Sequence, residues 1–211
     1  MPTSETIRSM LAAGGNRLSI GRAEEIAALV LAQPKRAQSK TVTQLVECLW
    51  DEDPGVVNRA ADALEKVSRT LPSVLDSWKA SLLGLLAEAT QNKLRWHLAL
   101  IVPRLQLSLP ECRRAVETLQ SYLDDPSSIV KTCALQGLAD LIRQDPSLGP
   151  EVLDQLRIHS RSGTPAMRAR GHDLLRQLEA PCEKRKYRQS GRTQCKKNAR
   201  RFGLPQKPSL L

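Results

Sequence analysis

The chain has 211 residues, 41% of them hydrophobic but only 3% aromatic, and a formal net charge of +10. That length allows a sizeable core, which must be built from Leu, Ala, Val and Ile rather than around aromatic rings. No uncharged apolar run approaches the roughly 18 residues a membrane span needs, and residues 1–16 hold no apolar stretch of signal-peptide type, so the sequence reads as cytoplasmic with no membrane partner.

The charge is unevenly spread. Residues 181–211 carry ten Lys and Arg against Glu183 alone, which leaves 22 bases and 21 acids for residues 1–180. The body is therefore electrically balanced and the excess sits in the tail. The five cysteines, Cys48, Cys112, Cys133, Cys182 and Cys195, are too irregular for a disulfide framework. They also lack the close pairs or neighbouring His that a zinc site needs, so neither metal nor cofactor is expected.

In chain order, residues 1–19 read as a flexible opening that contains Gly14-Gly15-Asn16. A first helix is predicted over about 22–32, with Ile26, Leu29 and Val30 on one face. Residues 33–40 are polar, contain Pro34 and read as a loop. Helix pairs then follow: 41–50 with 54–69, 73–89 with 92–105, 110–123 with 126–143, and 147–159 with 165–178. Asp53-Pro54, Asp125-Pro126 and Thr164-Pro165 each place a side-chain acceptor before a proline at the first helical position, and Asn92 supplies a cap without proline. Asp145-Pro146 and Leu109-Pro110-Glu111 mark starts on the other helix of the pair. Pro103 interrupts its helix, because it has no N–H for the Ala99 carbonyl; the favoured expectation is a kink that helps the solenoid curve, against a deliberate opening in the concave wall.

A four-fold echo runs through these pairs. Val57-Asn58-Arg59-Ala60, Arg95-Trp96-His97-Leu98, Lys131-Thr132-Cys133-Ala134 and Arg168-Ala169-Arg170-Gly171 align at offsets of 38, 36 and 37 residues. A near-constant period of that length with helical spacing inside each unit signals stacked two-helix repeats. The expectation is an all-α, right-handed solenoid of about four stacked helix pairs over residues 20–180, with an additional N-terminal helix and a basic, disordered tail over 181–211.

The second-helix signature, Asp-Pro-x-x-Val at 53–57 and Asp-Pro-Ser-Ser-Ile-Val-Lys-x-x-Ala at 125–134, resembles the HEAT-repeat family of armadillo-like α-solenoids. The body is similar to small bacterial HEAT-repeat proteins without a known activity. The resemblance covers most of the chain but implies only the fold. The period is shorter than the roughly 40–47 residues of a typical HEAT unit, and Val57 stands where the other three units carry a base.

Arg95, Lys131 and Arg168 form a ladder of bases at one repeat position. They suit either a groove for acidic or phosphorylated ligands or bonds to acids and carbonyls of adjacent turns, and the second reading is favoured. Trp96, at the start of a second helix, is a candidate anchor for a protein partner. The sequence contains no phosphate-binding glycine loop and no nucleophile elbow. In the tail, Lys184, Arg185, Lys186, Arg188, Arg192, Lys196, Lys197, Arg200 and Arg201 are interleaved with Tyr187 and Phe202, which suits RNA or DNA phosphates with stacking on bases. The expected function is a non-enzymatic scaffold or adaptor that binds a protein partner, with non-specific nucleic-acid affinity in the tail. The alternative is a repair enzyme resembling the HEAT-like alkylpurine glycosylases, which would require companion aromatics near Trp96.

Overall fold

A computed structural model describes residues 6–13 and 21–179, which contain ten α-helices joined by 3-10 turns and no strand. The chain divides into two units, Met1–Leu175 and Arg176–Leu211. The second is described only over residues 176–179, the helical end of α10. The basic tail therefore lies outside the described residues. The helices are α1 (Ile7–Ala12), α2 (Ala23–Ala32), α3 (Lys35–Glu47), α4 (Pro54–Thr70), α5 (Lys79–Glu88), α6 (Asn92–Ile101), α7 (Leu109–Ser121), α8 (Ser128–Leu141), α9 (Gly149–Ser162) and α10 (Pro165–Glu179). None of them is long and apolar enough to cross a membrane.

The even-numbered helices pack on one another in chain order: α2 on α4, α4 on α6, α6 on α8. Helix α4 is buried nearly all round because it lies between two neighbours. It meets them with Ala60, Ala61 and Ala63, which are fully buried beside Val56, Leu64 and Val67. Small side chains at those positions let backbones approach while the large ones fill the gaps, as close-packed interiors require. The odd helices pack against this row: α3 on α4, α5 on α6, α7 on α8 and α9 on α8.

Four sequence expectations are corrected. The opening segment is not flexible over residues 6–13. Thr6 Oγ1 accepts the Ser9 N–H, and Ile7, Met10 and Leu11, spaced to share one helix face, are buried. Because α1 packs on α3 and α4, two helices rather than one precede the first predicted pair. The loop predicted over 33–40 is mostly helix, since Pro34 takes the cap position and α3 begins at Lys35. Its polar residues lie on the solvent side, except Gln38, which is buried and donates to the Val30 carbonyl at 3.1 Å. Asp125 does not cap α8. It closes a local turn by accepting the Ser127 N–H at 2.7 Å, and Ser127 caps the helix by accepting from Val130. Asn92 is the first residue of α6 rather than its cap. Asp53-Pro54 and Thr164-Pro165 do start α4 and α10 as read.

Pro103 ends α6 instead of kinking it. The helix stops at Ile101 and continues as a 3-10 turn over Val102–Arg104, with Pro103 buried. The Ala99 carbonyl, which a non-proline at 103 would have engaged, lies against Gly137 of α8. A Cβ at Gly137 would collide with that oxygen and stand 3.1 Å from Pro103 Cγ and 3.0 Å from Leu119 Cδ1. Gly137→Ala should therefore destabilise the protein by about 1–3 kcal/mol through overpacking against backbone. Denaturant unfolding would detect it, and an unchanged midpoint would contradict this account of the α6–α8 contact.

Candidate functional site

The ladder bases stay one per helix, and each has a different environment. Arg95, in the first turns of α6, donates from Nε to the Ala89 carbonyl at 2.6 Å and from Nη1 to Asp125 Oδ2 at 2.5 Å. The Asp125 side chain is fully buried. The guanidinium also lies 5.1 Å above the Tyr122 ring, whose hydroxyl donates to the Leu86 carbonyl. Burial pushes that hydroxyl up to about 12. Arg95 thus ties its own helix start to the turn before α8, the structural role favoured from sequence. Arg168 has a smaller version of it, donating to the Gly163 carbonyl at 3.1 Å. Lys131 departs from the pattern: it is half-buried on α8, and its side chain has no ion-pair or hydrogen-bond partner among the described residues.

Trp96 is half-buried and stacks on His97, with ring centroids 3.5 Å apart and planes 30° apart. His97 is 2% exposed, and its Nδ1 has no partner. Burial, reinforced by the charges of Lys66, Lys93 and Arg69, lowers its pKa to about 3. The other described aromatics do not join this pair: Trp50 lies 52% exposed in the turn after α3 and Trp78 precedes α5.

Beside this pair runs an ion network that the sequence reading missed. Glu65 of α4 is 1% exposed and is shared by two arginines. Arg69 reaches it from Nε at 2.9 Å and Nη2 at 2.7 Å. Arg104, from the turn after α6, reaches it from Nη2 at 2.9 Å and donates from Nη1 to the Glu65 carbonyl and to Ser68 Oγ. Along α8, Asp140 takes Arg143 at 2.5 Å and Gln136 at 2.8 Å, while Gln136 in turn accepts from Arg170 of α10. Cys133 sits among these groups, and its thiol is raised to about 11, first by burial and then by Glu65. Cys48 is likewise raised to about 11 by burial. Both thiols are protonated at neutral pH, and no group of three metal-ligating side chains occurs among the described residues. The arrangement holds fixed charges in place across helix boundaries.

Arg69, Arg104 and Arg143 recur at the ends of successive even helices, and between them opens a cleft of about 630 Å³. The signal was present in the sequence as a base closing each second helix. Its offsets of 35 and 39 residues hid it from the register of the ladder. The nine basic tail candidates lie outside the described residues.

No family model matches this chain, and no curated protein matches it. Among solved structures it is similar to the crystal structures of two engineered proteins. One has a TM-score of 0.55 and 17% identity, covering 82% of this chain and 78% of that one. The other has a TM-score of 0.55 and 16% identity, covering 82% of this chain and 48% of that one. At these identities the likeness concerns the all-helical fold alone.

Two outcomes follow from the geometry. Arg95→Met leaves the buried Asp125 carboxylate without its cation and should cost about 3 kcal/mol, whereas Lys131→Met should stay within about 0.5 kcal/mol. Equal losses in urea unfolding would refute the distinction. His97 binds no proton in the folded state until about pH 3, but the unfolded chain binds one below about 6.5. Stability contributed by neutral His97 should therefore be lost as pH falls from about 6.5 towards 4.5, by on the order of 1 kcal/mol per pH unit. That window lies above the one in which Glu111, Asp51 and Glu25, all lowered by partners, would titrate. His97→Gln should flatten the pH dependence there; an unchanged slope would oppose it.

Proposed function

We propose that this chain is a HEAT-like α-solenoid scaffold. After α1 and α2, its helix pairs stack as α3/α4, α5/α6, α7/α8 and α9/α10, and the row of even helices carries the partner surface. The observation that carries this reading is Trp96, a half-buried ring stacked on a buried neutral histidine in that row. A tryptophan whose rotamer is already held loses little freedom on binding and is the residue type most enriched at interface hot spots. The nearby carboxylates support a binding rather than a proton-transfer role, because Asp62, Glu65, Asp125 and Asp140 are each engaged by a base. In the same reading, the tail over 181–211 adds non-specific affinity for RNA or DNA through its phosphates.

One pair of measurements tests both parts. Trp96→Ala should leave helix content and unfolding intact while weakening capture of a specific co-purifying protein about tenfold or more. Unchanged capture by the folded variant would overturn the anchor. Deleting residues 181–211 removes +9 of the charge. It should abolish most oligonucleotide binding, which in the full chain falls steeply between about 50 and 200 mM salt. Salt-insensitive binding, or binding retained by the truncated chain, would move the nucleic-acid site into the helical body.

A further inference from the structure

The cleft at the ends of α4, α6 and α8 has features that its internal ion pairs do not account for. Arginines near helix C-termini are ordinarily explained by the carbonyls they satisfy, and Arg104 does bond the Glu65 carbonyl. Four guanidinium nitrogens nevertheless have no partner among the described residues: Arg69 Nη1, Arg104 Nε, and Nε and Nη2 of Arg143. The floor is rigid. Gln144 accepts the Leu107 N–H at 3.0 Å and donates to the Pro103 carbonyl at 2.7 Å, while Lys79 holds the Gln106 carbonyl at 3.1 Å. Glu65 has both carboxylate oxygens engaged, so it fixes Arg69 and Arg104 instead of competing for a ligand. The result is a cleft of about 630 Å³, within the usual range for ligand pockets, with Arg69, Arg104 and Arg143 on its wall.

We propose that this cleft binds carboxylates, and that its occupant is an acidic, extended segment of the protein partner. The inference rests on the scaffold reading and names the chemistry of the partner. Charge complementarity selects the occupant. Three guanidinium groups against Glu65 and Asp140 leave one positive charge in excess, and the partial negative charge of the helix ends opposes it. That balance favours a carboxylate, which the open Nε and Nη2 edge of Arg143 can bind bidentately, over a doubly charged phosphate. The wall contains arginines and no lysine, as planar recognition requires.

The test uses the full chain and amide hydrogen exchange with three probes at low salt: an end-blocked hexaglutamate peptide, the matching hexaglutamine peptide, and inorganic phosphate. Hexaglutamate should slow exchange over residues 103–107 and 140–144, hexaglutamine and phosphate should not, and Arg143→Gln should weaken the hexaglutamate effect about tenfold with unfolding unchanged. Arg143→Lys, which keeps the charge and loses the fork, should restore only part of it. Binding to the basic tail is read separately, on peptides from 181–211. Protection confined to the tail, equal protection by phosphate, or a fully active Arg143→Gln variant overturns the proposal. Failure of the scaffold reading looks different: capture indifferent to Trp96→Ala, with the hexaglutamate response of the cleft intact.

Discussion

Close approach of consecutive even helices is the constraint from which the rest of the structure follows. Helices α6 and α8 come near enough that the Ala99 carbonyl meets the Cα of Gly137, with no room for a methyl group. Such contact needs Gly or Ala at the crossing and large aliphatics on either side, which is why the buried positions of α4, α6 and α8 alternate between the two. It also explains a core almost without aromatic rings. Pro103 belongs to the same constraint, because ending α6 there gives up a carbonyl's helical partner at the point where the next helix packs.

Helices packed this closely leave polar groups stranded at their boundaries, and paired charges resolve that. Arg95 reaches forward to Asp125, Arg104 back to Glu65, and Arg170 back to Gln136. Arg59, 2% exposed, donates to the Leu11 carbonyl at the end of α1. Each bond crosses from one helix unit to its neighbour. A buried carboxylate such as Asp125 is costly unless its cation is present, so these pairs penalise any register in which neighbouring units are misplaced.

Much of this was legible in the sequence where chemistry repeats. The echo beginning at Val57, Arg95, Lys131 and Arg168 located all four even helices from α4 to α10, and the Asp-Pro and Thr-Pro pairs set the starts of α4 and α10. The errors have physical causes. The first turns of α3 look like a loop because their apolar contacts are few and Gln38 packs through its amide on Val30, which hydrophobic periodicity cannot register. Helix α1 was overlooked because it buries only three apolar side chains and depends on the distant Arg59 and Asp51 for its polar contacts. Asp125 was read locally as a cap, whereas its buried oxygens serve Ser127 and Arg95, a residue 30 positions earlier. The arginine cleft escaped because a 3-10 turn after α6 shifts its members out of the ladder's register.

The difference between the two basic series also bears on where ligands could act. At the N-terminal ladder, Arg95 is consumed by Asp125 and Ala89, so a ligand there would have to displace a buried ion pair. At the C-terminal series, Glu65 and Asp140 take some donors of each guanidinium and leave others, so a ligand can add to the network without breaking it. Binding that completes an existing array avoids most of the ordering cost that long charged side chains otherwise carry. Lys131 cannot offer the same advantage, since a flexible ammonium that no carboxylate holds must be ordered anew by any anion it meets. Under the proposed reading, an acidic group of a partner would therefore meet available donors at the ends of the even helices and not at the ladder bases near their beginnings.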